Sequence, residues 1–265
     1  MCILDSHFQK ETVLILFMPT EKTIDYDMVS KVYDEVRKGD LKMISPILER
    51  MQLDPSSNIL DAGCGTANHT QLLASITGAK IVGLDLSAGM LSHACRKSPA
   101  LTFIQASIDL TPFPDASFDL VYMTEVLHHI QNFEKTIQEL SRLLVGGGAL
   151  CIVTQSHSQI ESRATSHFFP STVSLDKKRY PPISSIEDAM KRSGLNSVES
   201  ISFQFPPVVL GIEYLETVKK KGYSMLLKLD ESEYQEGLSK LQAAYSHGKV
   251  LRYPAGYTYV WGWRR

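Results

Sequence analysis

Two carboxylates and a pair of glycines are the residues whose types and spacing invite chemistry. In ILDAGCGTANHT (59–70), Asp61 closes an apolar run and is followed by Gly63, Cys64, Gly65 and Ala67. Gly63 and Gly65 permit a sharp turn and let a ligand lie against main-chain atoms with no Cβ in the way. About 20 residues further on, Asp85 stands at the tip of a second apolar run, where a carboxylate can accept both hydroxyls of a ribose. Together they describe a pocket for a nucleoside-type ligand. The sixth position of the turn is Asn68, not the last glycine of the G-x-G-x-x-G turn that sets a helix terminus against a pyrophosphate, and Asp61 would repel such a group. An amino group with a positive centre suits it better, because opposite charges a few ångströms apart attract by roughly 1 kcal/mol in water and several in a cleft.

These residues need a frame that sets the end of one strand beside the start of a helix and the tip of the next strand. Apolar runs at 58–62, 80–86, 101–105, 118–124 and 149–154 alternate with helical spacing at 68–75, 88–96 and 132–144, which predicts parallel strands joined by crossover helices. Residues 196–205 and 257–263 alternate as a sixth and a seventh strand. The expected fold is α/β, a doubly wound, mostly parallel seven-stranded sheet of Rossmann-like type. The spacing at 41–51 predicts a helix broken early by Pro46. Upstream, Tyr26, Tyr33 and Arg37 fall on one helical face, either a lid or an ordinary amphipathic helix. Residues 158–182 show no strand or helix period and read as a long loop carrying His167, Phe168, Phe169 and Tyr180, a substrate wall or an anchor to the core. Helices at 212–220 and 231–246 make 206–254 a helical insertion, a cap over the strand ends or a dimer surface. The organisation expected is one domain over 1–265, with an N-terminal lid segment (1–57), a cofactor-binding half (58–156) and a substrate-side half (157–265).

Composition narrows the partners. With 265 residues, 43% apolar and 21% charged, the chain is globular, and a formal net charge of -2 gives no electrostatic reason to expect nucleic acid. The basic clusters at 177–179 and 219–221 read as solvated faces. Cys2, Cys64, Cys95 and Cys151 lie far apart without a Cys-x-x-Cys pair, so neither a zinc site nor a disulfide framework is expected, and a reduced, cytoplasmic protein fits. The apolar run 13–18 is too short to span a membrane and lacks the basic start of a signal peptide.

ILDAGCGTANHT, VGLDLSAGML, PFPDASFDLVYMTEVLHHI and ELSRLLVGGGALCIV resemble the successive motifs of class I S-adenosylmethionine-dependent methyltransferases, in particular the small-molecule group that includes the ubiquinone and menaquinone C-methyltransferases. The resemblance runs over 26–154. It implies that Asp61, Gly63, Cys64 and Gly65 line the methionine end of the cofactor together with Thr124, that Asp85 holds the ribose, that Leu86 and Met90 flank the adenine, and that Ser107 and Ile108 meet the adenine edge. Tyr33 would cover the cofactor from the N-terminal lid. Two positions depart from the family pattern. Ala67 replaces a third glycine and costs little if its φ is negative; Ser107 replaces an aspartate that accepts from the adenine amino group, and an uncharged acceptor is roughly half as strong.

Methyl transfer needs a nucleophile held in line with the departing sulfur, and a base only where that nucleophile carries a proton. Strand ends are where ligands of open α/β sheets bind. Glu125 and His129 follow the fourth strand and are the candidate base residues; the alternative for His129 is a turn-holding role. His128 is expected to point elsewhere. His157, Phe168 and Phe169 are the candidate acceptor contacts. The reading is a methyltransferase that moves a methyl group from S-adenosylmethionine to a small organic molecule, releases S-adenosylhomocysteine, uses no metal, and is possibly a homodimer. An RNA or protein methyltransferase, or a cofactor-retaining protein without catalysis, are the alternatives. An NAD-dependent oxidoreductase would share Asp85 but lack Asp61 and show the later glycine.

Overall fold

The structure is a computed structural model that describes residues 39–254 and 256–265. Tyr26, Tyr33, Arg37 and the run 13–18 lie outside the described residues. Nine strands are present among those described: β1 (Asn58–Ala62), β2 (Lys80–Asp85), β3 (Thr102–Gln105), β4 (Phe118–Thr124), β5 (Leu144–Thr154), β6 (Asn196–Gln204), β7 (Val208–Val209), β8 (Arg252–Tyr253) and β9 (Gly256–Trp263). Seven of them form one sheet in the order β3-β2-β1-β4-β5-β9-β6. All neighbours in it pair in parallel except β9, which runs antiparallel between β5 and β6. The chain winds outward from β1 to β3, then restarts on the other side of β1 at β4. The carboxyl ends of β1 and β4 therefore border a topological switch point, where open α/β sheets carry their ligands.

Strand alternation decides what covers each face. Leu60, Val121, Leu150, Ile152 and Val260 point to one side and pack with α4 (Phe133–Arg142) and α8 (Ile183–Arg192). Ile59, Leu120, Tyr122, Cys151, Tyr259 and Trp261 point to the other, against α1 (Leu41–Arg50) and α2 (Asn68–Thr77). Asp61 follows Ile59 by two residues and so shares the α2 side of the sheet. The second crossover helix, α3 (Ala88–Lys97), joins β2 to β3.

Several expectations change. Pro46 does not break α1: it sits buried within an unbroken helix. Lys42 O, the carbonyl that Pro46 leaves without its helical donor, is approached by the Tyr259 hydroxyl at 3.5 Å, and the same hydroxyl donates to Met43 O at 2.9 Å. The fifth strand begins at Leu144 rather than at 149, because the residues between Leu144 and Ala149 form a bulge opposite the step from Phe118 to Leu120. Gly147 takes φ +82° there. The segment 158–182 is not a loop but contains three short helices, α5 (His157–Glu161), α6 (Ala164–Phe168) and α7 (Ser171–Arg179). Each is too brief to show a period; α5 is set by a capping box in which Ser156 and Gln159 exchange hydrogen bonds. The insertion is helical as expected, with α9 (Ile212–Lys219) and α10 (Glu231–Ser246), and adds the ribbon β7–β8.

The cap has its own core. Phe168, Phe169, Tyr214, Leu215, Val218, Leu226, Tyr234 and Leu241 cluster together, and Phe169 stacks on Tyr234 at 6.1 Å. Phe169 is completely buried. Neither Phe168 nor Phe169 forms an exposed crevice wall; both anchor α6 to the cap, because two large apolar rings gain more by leaving water than by lining an open cleft.

Candidate active site

The turn after β1 is assembled by main-chain hydrogen bonds. The Gly63 and Cys64 N–H groups both donate to Leu84 O, at 2.7 and 3.0 Å. Asp85 Oδ2 accepts from Gly65 N–H at 2.8 Å and Oδ1 from Ser87 N–H at 2.9 Å, so the carboxylate at the tip of β2 is oriented by the two segments it joins. Gly63 and Gly65 have φ +84° and +53°. A Cβ on Gly63 would strike Val126 at 2.6 Å, whereas one on Gly65 would meet nothing within 4 Å. The first glycine is therefore required by packing and the second faces open space. Ala67 is also left-handed, with φ +64°. The expectation of a negative φ fails, and this conformation costs roughly 1–2 kcal/mol, partly offset by burial of its methyl beside Leu91, Ala94 and Phe103.

Asp61 is 1% exposed. Its Oδ2 accepts from Thr70 Oγ1 at 2.6 Å and from Tyr122 OH at 2.7 Å, while Oδ1 is buried with no hydrogen-bond partner among the described residues. Burial raises its pKa to about 6; the two hydroxyls oppose that rise and nearby Asp85 adds to it. Cys64, between the glycines, has its thiol pushed well up by burial and then by Asp61 and Asp85, which makes it a neutral packing group. Thr124 Oγ1 lies 3.5 Å from His69 Nδ1, so the first turn of α2 and the end of β4 close on each other beside Asp61.

On the outer side of Asp85, Leu86 is 69% exposed although apolar, while Met90 is buried at the start of α3. Ile108 is half-buried and packs against the main core. The hydroxyl of Ser107 donates to Asp109 Oδ1, and that bond, followed by Lys135, holds Asp109 below the usual carboxylate range against its slight burial. With its proton committed to Asp109, Ser107 presents lone pairs only. This is how a serine can serve as an acceptor where an aspartate is usual.

The acceptor-side residues come together less simply than the sequence suggests. Glu125 takes φ +55° at the end of β4, a strained conformation for a side-chain-bearing residue and one that concentrates at functional sites. Its Oε2 accepts from Tyr180 OH at 3.1 Å. The same hydroxyl lies 3.3 Å from His128 Nε2, and the two rings stack at 4.0 Å. The buried histidine of this cluster is thus His128, not His129. In the short 3-10 turn Leu127–His129 the two rings lie 3.9 Å apart, with His128 on the buried side and His129 exposed, its Nδ1 3.3 Å from Arg179 Nη2. His157 Nε2 lies 2.8 Å from Tyr180 O, tying α5 to the end of α7.

Behind these groups runs a buried ionic chain that sequence reading missed. Asp176, 1% exposed, binds Arg163 through Oδ2 and Arg179 through Oδ1; Arg163 also donates to Gln155 Oε1 at 2.6 Å and lies over the Tyr180 ring at 5.2 Å. Arg179 Nη2 reaches Ser224 Oγ in the cap at 3.2 Å. Thr70 and Tyr122 lie inside quoted motifs and Tyr180 in the 158–182 stretch, but none carried a sign of these partners; Asp109, Asp176 and Arg163 carried no local motif. The signal available was composition: charged and hydroxyl residues inside stretches that are otherwise apolar. Among the described residues, no group of three or more His, Cys, Asp or Glu could hold a metal ion, and no helix is long and apolar enough to cross a membrane.

A doubly wound sheet whose switch point carries a glycine turn and a carboxylate at the next strand tip defines a nucleoside-cofactor domain of the Rossmann-like methyltransferase fold. Residues 60–152 match the family described as "Methyltransferase domain". Over 121 residues the chain is 37% identical to trans-aconitate 2-methyltransferase of Paracidovorax citrulli, covering 45% of this chain and 46% of that protein. The chain spans about half the length of the curated relatives it matches. Among solved structures, one described as a methyltransferase of an antibiotic biosynthesis pathway in Anabaena variabilis aligns with a TM-score of 0.72 at 20% identity, covering 87% of this chain and 99% of that one. The Haemonchus contortus phosphoethanolamine N-methyltransferase 2, in complex with phosphomonomethylethanolamine and S-adenosylhomocysteine, aligns with a TM-score of 0.60 at 20% identity over 90% of this chain and 57% of that one.

Proposed function

We propose that the protein is an S-adenosylmethionine-dependent methyltransferase acting on a small organic molecule. The observation that carries this reading is the β1 turn: a methyltransferase-domain match over a site where Gly65 opens onto free space, Asp85 is oriented by backbone N–H groups, and Asp61 keeps one buried oxygen for an incoming donor. These features fit the cofactor. Asp85 would hold the ribose hydroxyls, Asp61 the methionine ammonium, Leu86 and Met90 the adenine faces, and Ser107 and Ile108 the adenine edge. Tyr33, Cys64 and Thr124 complete the binding set implied by the resemblance. In this reading 58–156 is the cofactor half and 157–265 the acceptor half.

The cofactor, when bound, supplies an electrophilic methyl on sulfur. The chain's part is to hold the acceptor in line with it, which can contribute most of the advantage. Glu125, strained at the switch point and receiving a hydrogen bond from Tyr180, is the group placed to take a proton from an acceptor hydroxyl or amine. His129 stands at the solvent side of the same turn as the second candidate. Small acceptors are favoured because the charge of the chain offers no basic stripe.

The test is transfer of labelled methyl from S-adenosylmethionine to metabolite extracts and, separately, to bulk RNA and protein. Label in a low-molecular-weight product supports the reading; label confined to RNA or protein overturns the small-molecule part. With the product identified, Glu125→Gln should lower kcat by at least 10²-fold, and His129→Ala by the same factor only if it is the base.

A further inference from the structure

Asp61 is held in an unusual way for a carboxylate that meets a cationic ligand. Two neutral hydroxyls, one from α2 and one from β4, both donate to Oδ2 at 2.6 and 2.7 Å. Nothing among the described residues donates to Oδ1, although that oxygen is shielded from solvent. Thr70 and Tyr122 are both fully buried, so neither can swing away to hydrate the carboxylate. The result is an acceptor with one satisfied and one unsatisfied oxygen, two residues before a glycine turn that opens onto free space.

An ionised carboxylate in that state lacks most of its solvation, so burial favours the carboxylic acid more than water does and leaves it well populated near pH 6. Of the groups that face Asp61, the Thr70 and Tyr122 hydroxyls oppose this and the others do not. The turn contributes Cys64 and β4 contributes Tyr122, both with pKa values pushed well up by burial and by Asp61 itself, hence neutral. From β2, Asp85 adds a like charge, and α2 adds Thr70 with His69 beside it.

We propose that Thr70 and Tyr122 are positioning residues that make Asp61 a one-sided acceptor, and that capture of the cofactor's alkylammonium by Asp61 Oδ1 expels to solvent the proton this carboxyl holds in the ligand-free protein. The inference rests on the methyltransferase reading above. The O–H bond of the Asp61 carboxyl breaks, its proton passes to water and buffer, and the ammonium N–H of the ligand donates to the vacated Oδ1. No electron changes hands. Cofactor capture is thereby coupled to pH. The ligand-free carboxyl titrates near 6, and an ammonium at hydrogen-bond distance favours the ionised form, so the folded-state pKa falls on binding. Affinity is therefore reduced below about pH 6 and reaches its plateau above it.

The experiment is calorimetric titration with S-adenosylhomocysteine, which carries the same ammonium, at pH 5 to 8 and, at pH 6, in two buffers of different ionisation enthalpy. The expected result is release of about half a proton at pH 6 and an affinity about tenfold weaker at pH 5 than at pH 7. Thr70→Val and Tyr122→Phe each remove one donor while keeping shape. Each should move the midpoint of this dependence upward by about one pH unit, a change that a merely structural role would not produce. Asp61→Asn should abolish the proton release. Binding that is independent of pH, or proton release that persists in Asp61→Asn, overturns the inference and leaves the methyltransferase reading intact. No binding at any pH, in the wild type and both hydroxyl variants, overturns both.

Discussion

The tips of β1 and β2 and the exits of β4 and β5 border the same crevice, yet they are built by opposite means. At the first, main-chain atoms do most of the holding: Asp85 is oriented by Gly65 and Ser87 N–H groups, and Leu84 O fixes Gly63 and Cys64, while Asp61 alone is held by the side chains of Thr70 and Tyr122. At the second, side chains hold side chains. Tyr180 joins Glu125 and His128, and Asp176 joins Arg163 and Arg179. A backbone-held site has fixed spacing and leaves a motif; a side-chain network can be rebuilt residue by residue around a different acceptor and leaves none. The methyltransferase-domain match ends at residue 152; Glu125 and His128 lie inside it, whereas Arg163, Asp176, Arg179 and Tyr180 lie beyond it.

If the two regions are independent in this sense, the acceptor half should tolerate damage without harm to the cofactor half. Asp176→Ala, which takes the ionic partner from the buried Arg163 guanidinium and from half-buried Arg179, should have the largest effect, a loss of about 3–5 kcal/mol of stability measured by denaturant unfolding. S-adenosylhomocysteine affinity, measured by calorimetry on the protein that stays folded, should remain within about threefold of wild type. A parallel fall in affinity would show that the ionic chain supports the β1 turn as well.

Asp85→Ala should behave in the opposite way. Loss of hydrogen bonds to a charged group is worth about 1.5–3 kcal/mol, so S-adenosylhomocysteine should bind roughly 10- to 150-fold more weakly, with a small change in melting temperature. Unchanged affinity would move the ribose elsewhere in the crevice.

The smallest effect sharpens the comparison through a matched pair. Gly65 and Gly147 both have positive φ and both would carry a Cβ into open space. Gly65→Ala and Gly147→Ala should each lower stability by about 1–2 kcal/mol, the price of a left-handed alanine. Gly65→Ala alone should weaken S-adenosylhomocysteine, because its methyl enters the ligand's space. Equal affinities in the two variants would mean that the opening at Gly65 is not part of the cofactor site.

The same contrast explains what could be read from the sequence. The sheet, its crossover helices and the β1 turn follow from apolar periodicity and glycine spacing, which are local. The lost expectations follow from tertiary partners. Pro46 stays in a helix because Tyr259, 213 residues away in sequence, donates to that helix. Phe168 and Phe169 turn into the cap because α9 and α10 offer an apolar core there. His128, expected to point elsewhere, joins the Glu125 cluster because Tyr180 arrives from the end of α7 and stacks on its ring. Ala67 keeps a positive φ without glycine, a conformation that residue type alone argues against.

The measurement that decides between cofactors is a thermal unfolding comparison of the protein alone, with S-adenosylhomocysteine, and with NAD. A ligand at 100 times its dissociation constant stabilises the native state by about 2.7 kcal/mol, which for a chain of this size raises the melting temperature by several degrees. S-adenosylhomocysteine should produce that rise at pH 7, Asp85→Ala should reduce it, and NAD should leave the transition where it was. A rise with NAD and none with S-adenosylhomocysteine would contradict the assignment of the β1 turn as a methyl-donor site.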